Sequence, residues 1–121
     1  MKDTTTNGIV NILKPAGMTS HDVVGKLRKI YHTRKVGHTG TLDPDAVGVL
    51  PVCVGQATRL AEYLTEKEKT YRAVMKFGRE TNTQDHSGEV TKNTALPTLS
   101  REEFCGVTAQ FVGDIQQVPP M

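Results

Sequence analysis

Tryptophan is absent from the 121 residues, and Phe and Tyr number three each. Any core must therefore be aliphatic. Only two cysteines are present, Cys53 and Cys105, too few for a disulfide framework. Cys53 lies in an apolar run and Cys105 in a helical pattern, so both are expected to be buried or half-buried thiols. The cysteines and histidines show no zinc-ligand spacing. No apolar stretch approaches membrane-spanning length. The opening MKDTTTNG is polar and does not read as the apolar region of a signal peptide. These absences point to a reducing, cytoplasmic location, with no membrane and no metal. Repeats and low-complexity segments are also missing.

What remains is a globular composition, 36% hydrophobic and 23% charged, in a length that suits one domain. Residues 1–7 are expected to be a disordered tail. The net charge is only +2, but it is unevenly spread. From Lys26 to His38 the chain carries Lys26, Arg28, Lys29, Arg34 and Lys35 with no acid, and most acids follow residue 60. Such a cluster suits an anionic partner such as nucleic acid, or else it is a solvated helix face.

Gly8 to Leu13 reads as a strand, stopped by Lys14-Pro15-Ala16-Gly17. Thr19 or Ser20 can cap a helix with Asp22 in its first turn. Val23, Val24, Leu27, Ile30 and Tyr31 share that helix's inner face. Val47 to Val54 reads as a buried strand weakened by Gly48 and Pro51. Gln56 to Leu64 reads as a helix with Leu60, Ala61 and Leu64 inward. Lys69 to Phe77 alternates, placing Tyr71, Ala73, Met75 and Phe77 on one strand face. TNTQDHSGE reads as a loop. Ser100 and Glu103 form a capping box for a helix striped by Phe104, Val107, Phe111 and Val112. The order implies an α+β (mixed α/β) domain, expected to lack its last strands.

The stretch GHTGTLDPDAVGVLPV, residues 37–52, concentrates the chemistry. Pro44 biases Asp43 toward extended backbone, and Gly37 and Gly40 permit close approach of a ligand. His38, Thr39 and Thr41 add hydrogen-bonding groups. A carboxylate presented on a stiff polar loop can attack a sugar carbon. Alternatively, Asp43 closes an Asx turn. The Asp43-x-Asp45 pair also matches magnesium phosphohydrolases, although GHTGTL is not the buried strand that precedes their first Asp.

KPAGMTSHDVVGKLRKIY, VGHTGTLDPDAVGVLPVCVGQATRL, Lys69-Thr70-Tyr71-Arg72 and FGRETNTQDHSGEV through to QQVPP together resemble the TruB-type tRNA pseudouridine synthases, from Gly8 onward. The resemblance implies a pseudouridine-synthase fold, with a largely antiparallel sheet flanked by helices. It implies isomerisation of a T-loop uridine (position 55 of tRNA) to pseudouridine without a cofactor. The partner implied is the tRNA T-arm stem-loop, bound by a full-length enzyme that is monomeric. Asp43 matches the catalytic aspartate, which acts on C1′ by attack or through an elimination route. Tyr71 matches the aromatic that stacks on the flipped uracil, and His38 the histidine beside the extruded nucleotide. Lys14 and Pro15 match the Lys-Pro motif bordering the active site, near Thr41. Lys29, Arg34 and Lys35 would touch phosphates.

Asn82 departs from the family, many members of which have an acid there. After VPP the family continues with a second active-site Tyr, an Arg that pairs with the Asp, and an RNA-binding module. Residues 8–121 would thus be the N-terminal part of the catalytic domain, inactive alone. A non-catalytic RNA-binding module is the alternative from another class.

Overall fold

Lys14-Pro15-Ala16-Gly17 turns the chain between its first strand and first helix in the computed structural model, which describes residues 6–119. Residues 1–5 of the expected tail lie outside the described residues. The side-chain oxygen of Asn7, the tail's last residue, accepts a hydrogen bond from the Gln56 amide at 2.6 Å. The chain divides into two compact units, Met1–Thr70 and Tyr71–Met121.

The first unit is built on a three-stranded antiparallel sheet. β1 (Gly8–Lys14) and β2 (Val36–His38) flank β3 (Gly48–Val54), which runs down the middle. Valine and isoleucine suit a half-buried pleated surface, and β1 alternates accordingly. Val10, Ile12 and Lys14 turn inward, while Ile9, Asn11 and Leu13 face out. Pro51 sits mid-strand in β3, opposite Asn11. Its carbonyl accepts from the Thr39 amide at 3.1 Å. A residue's N–H and C=O point to the same side of a strand, so the missing donor of Pro51 faces the side where β2 has already ended. The ladder to β1 loses nothing, which is why proline is tolerated here.

α1 (Ser20–Ile30) packs on this sheet. Thr19 is its N-cap, and Asp22 completes a capping box: the Thr19 hydroxyl accepts from the Asp22 amide at 3.0 Å, and Asp22 accepts from the Thr19 amide at 2.9 Å. Val23, Val24 and Leu27 join Val36, Leu50, Val52 and Val54 in an aliphatic core. Each such side chain contributes roughly 1.5–3 kcal/mol by leaving water. Ile30, expected inward, is 65% exposed; Tyr31, one residue on, takes the place at the margin of the core. The expected helix over 56–64 is a 3₁₀ segment (Gly55–Leu60) running into a short α2 (Ala61–Thr65). Leu60 is exposed, with Ala61 and Leu64 half-buried. Gly55 starts this segment at φ +65°, where a Cβ would strike the Asn7 side chain and the Thr6 carbonyl.

Lys69–Phe77, which runs from the end of the first unit into the second, is not a strand, contrary to its alternation. An alternating pattern becomes a strand only when a neighbour takes up its N–H and C=O groups. Among the described residues no strand does so. β4 (Arg79–Thr81) and β5 (Val90–Asn93) form a hairpin, and α3 (Arg101–Thr108) carries the expected Ser100–Glu103 capping box. A 3₁₀ turn (Ala109–Phe111) follows. Phe77 and Phe104 meet edge to face at 6.3 Å. Two short strands and one helix cannot enclose a core, so the α3 stripe stays largely exposed. Cys105 lies exposed for the same reason, against expectation, whereas Cys53 is buried, and burial raises its thiol pKa. The observed architecture is mixed α+β with antiparallel pairing throughout both sheets.

Candidate functional site

The loop from Thr39 to Val47 joins β2 to β3 and carries Asp43. Asp43 opens a β-turn with Pro44 at its second position, closed by the Ala46 amide donating to the Asp43 carbonyl at 3.0 Å. Proline's fixed φ pre-forms this position, and Asp favours the first. The Asp43 side chain is exposed. No hydrogen bond or ion pair engages its carboxylate among the described residues, so it does not close an Asx turn.

The backbone on both sides of Asp43 is held firmly. Three polar residues are buried among the described ones, Lys14, Ser20 and Thr39, and all three bind this loop or its base. Lys14 is wholly inaccessible to solvent. Its Nζ donates to the carbonyls of Pro15 (2.9 Å), Met18 (2.6 Å) and Pro44 (3.0 Å). Three carbonyls match the three N–H groups of an ammonium. The Gly17 amide donates to the same Pro44 carbonyl at 2.8 Å. Before Asp43, the Leu42 amide donates to the Ser20 hydroxyl at 2.9 Å, and that hydroxyl donates to the Leu42 carbonyl at 3.3 Å. The Leu42 side chain packs against the core. At the loop's start, the Thr39 amide and hydroxyl both reach the Pro51 carbonyl, each at 3.1 Å.

Lys14, expected to border the active site, is buried as a staple between two loops. Pro15 and Thr41 are exposed. His38 ends β2 opposite Val52, half-buried, and its Nδ1 is sealed from solvent with no hydrogen-bond partner among the described residues. Gly37 lies within β2 and has open space where a Cβ would stand. A Cβ on Gly40 would come to 3.2 Å from Lys69 Cε, so glycine there lets the lysine stem lie over the loop. Lys29, Arg34 and Lys35 are exposed; Lys29 sits in the last turn of α1, where it also complements the helix dipole. Tyr71 opens the second unit and is 65% exposed.

Sequence reasoning missed Ser20. The signal was two adjacent candidates for one cap: with Thr19 capping the helix, the Ser20 hydroxyl is spare. In the second unit, Asp85 ties its own loop. Its carboxylate accepts from the Thr83 hydroxyl (2.7 Å) and from the amide (2.8 Å) and hydroxyl (2.6 Å) of Ser87. The Ser87 hydroxyl, then that of Thr83, draw its pKa down to about 2. Asn82 spans the hairpin, its side-chain oxygen accepting from the Glu89 amide at 3.0 Å. A carboxylate oxygen could accept there equally, so the departure at Asn82 preserves the hairpin bond.

Among the described residues, no three His, Cys, Asp or Glu side chains are grouped to hold a metal ion, and no helix is long and apolar enough to cross a membrane.

Residues 28–121 match the TruB family pseudouridylate synthase N-terminal domain. The chain belongs to this family. It is 53% identical over 117 residues to tRNA pseudouridine synthase B of Caldanaerobacter subterraneus subsp. tengcongensis, covering 97% of this chain and 41% of that protein. The protein of the same name in Alkaliphilus oremlandii is 52% identical over 115 residues, covering 95% and 38%. That of Streptococcus pyogenes is 53% identical over 116 residues, covering 95% and 40%. The chain thus spans about two fifths of the length of these relatives. Among solved structures, an archaeal box H/ACA sRNP Nop10–Cbf5 complex is similar at 49% identity and TM-score 0.44, over 46% of this chain and 18% of that one. An H/ACA RNP bound to a substrate RNA containing 2'-deoxyuridine gives 50% identity and TM-score 0.45, with the same coverage.

Proposed function

We propose that this chain is the part of a tRNA pseudouridine synthase that supplies the catalytic carboxylate, Asp43, for isomerising a T-loop uridine. The observation that carries the reading is the contrast at Asp43: a rigidly clamped backbone presents a solvent-exposed carboxylate with no partner among the described residues. Structural aspartates spend their oxygens on nearby amides, as Asp22 and Asp85 do here.

On this reading the uridine leaves its stack, at a cost of a few kcal/mol. Tyr71 offers a stacking platform that offsets about 1–3 kcal/mol of this, and His38 stands beside the extruded nucleotide. Asp43 acts at C1′, by attack on the ribose or through an elimination route. The N1–C1′ bond breaks, the uracil turns, C5 bonds to C1′, and the C5 proton is lost to N1. The ring gains and loses no atoms, and no redox step occurs. Lys29, Arg34 and Lys35 bind phosphates, which fix position without reading sequence. Asp43 takes its cationic partner from the rest of the full-length protein, so the chain by itself is inactive. The full-length protein works as a cytoplasmic monomer on the T-arm.

The Asp43→Asn variant of the full-length parent tests this. Asn keeps the shape and removes the charge, so product should vanish while tRNA affinity stays within about threefold. Turnover at the parent's rate would instead favour a non-catalytic RNA-binding role for the loop. Against the phosphohydrolase reading, Asp43 follows an irregular loop from Thr39 to Leu42 and not a buried strand.

A further inference from the structure

We propose that Ser20 is a positioning residue for Asp43, acting through Leu42; this deepens the reading of Asp43 as the catalytic carboxylate and rests on it. Ser20 is the first residue of α1, yet it does none of that helix's capping, which Thr19 and Asp22 complete between themselves. Its side chain is 98% buried, being 2% exposed, and is spent wholly on one residue twenty-two positions away. The hydroxyl both accepts from the Leu42 amide and donates to the Leu42 carbonyl. One side chain thereby fixes both backbone polar groups of the residue next to Asp43. The Leu42 carbonyl belongs to the peptide that Asp43's own nitrogen completes, so its direction sets the plane from which the Asp43 side chain departs.

The opposite side of Asp43 is held independently, by Lys14 and Gly17 on the Pro44 carbonyl. With both neighbours fixed, the backbone that carries the carboxylate is set before any charged partner reaches it. Loss of the Ser20 contact frees one side only. The turn and the core packing of Leu42 remain, so the fold and the RNA-binding face should persist while the aim of the carboxylate blurs. A displacement of about 1 Å at a reacting group can cost on the order of a hundredfold in rate.

The test uses the full-length parent with Ser20→Ala, and with Asp43→Asn beside it. Turnover at saturating tRNA, tRNA affinity, thermal midpoint and exchange of the Leu42 amide are measured for each. Ser20→Ala is expected to lower turnover about tenfold or more, with affinity within about twofold and a folded protein at the assay temperature. The Leu42 amide should exchange faster, while the Thr39 amide, bonded to Pro51, should not. A turnover loss of less than tenfold overturns the proposal. So does a parallel loss of affinity and fold, which would make Ser20 purely structural. An active Asp43→Asn variant would remove the underlying reading itself. An inactive Asp43→Asn with a fully active Ser20→Ala would remove the Ser20 role alone.

Discussion

The Lys14 Nζ donates to the Pro44 carbonyl at 3.0 Å, joining two turns that are thirty positions apart in sequence. This bond fastens the Lys-Pro turn after β1 to the Asp-Pro turn before β3. The two proline turns stand as one unit, with the ammonium at its centre.

Replacement of Lys14 by Met should therefore destabilise the chain by about 3 kcal/mol, since hydrogen bonds to a charged group are worth roughly 1.5–3 kcal/mol and carbonyls are left unmet. Lys14→Arg should not rescue it. The flat guanidinium fork cannot serve three carbonyls converging on one point. Urea unfolding measures both. A solvated lysine would shift stability by only about 0.5 kcal/mol or less, and such a value would contradict the burial seen here.

Charge reversal at Lys29 and Lys35 in the full-length parent should flatten the salt dependence of tRNA binding. Each phosphate contact contributes close to one unit of slope, so the double variant should be shallower by about 1–2 units. Binding measured across a salt series decides it. An unchanged slope would mark these lysines as solvated residues serving only the helix dipole.

Tyr71→Phe in the full-length parent should keep tRNA affinity and activity within about threefold, because the ring still stacks. Tyr71→Leu should lose about 1–3 kcal/mol of binding, an effect of about fivefold to 150-fold. Equal behaviour of Leu and Tyr would end the platform assignment. Filter binding and single-turnover rates report the two quantities separately.

The Asp85 carboxylate should titrate with a midpoint of about 2, against an ordinary value of 3.8. Its folded pKa is depressed, so its support of the β4–β5 loop is complete above about pH 4 and is lost as pH falls through 2. Carbon-detected NMR of the Asp85 carboxyl, with the Ser87 amide shift as a second probe, measures this. A midpoint near 4 would mean that the Thr83 and Ser87 bonds do not persist in solution.

Much of the first unit was legible because its signals are local. The Asp43-Pro44 turn, the Thr19 cap and the apolar stripe of α1 each follow from residues within four positions. The family resemblance marked Asp43, Tyr71 and His38 by motif. The clamp was not legible: a lysine beside a proline reads as solvated, and only the fold brings Met18 and Pro44 to its Nζ. β2 was missed because three residues, one of them glycine, carry too little pattern. The Lys69–Phe77 strand failed for the opposite reason. Its alternation is strong, but a strand also requires a neighbour, which a single segment cannot reveal. Cys105 and the α3 stripe likewise show that helical periodicity marks a face without saying what covers it.

The alternation of β1 has a consequence for how this region tolerates change. Lys14 points inward because it lies an even number of residues from Val10 and Ile12, which anchor the register against Val52 and Leu50. Deleting one residue between Ile12 and Lys14 would bring Pro15 into the ammonium's place and leave the Pro44 carbonyl to Gly17 alone. Apolar exchanges at Ile9 or Leu13, on the outer face, would leave the clamp untouched. The segment is thus permissive in composition on its outer face and strict in length, because pleat parity decides whether the Lys14 ammonium reaches the Asp43 turn.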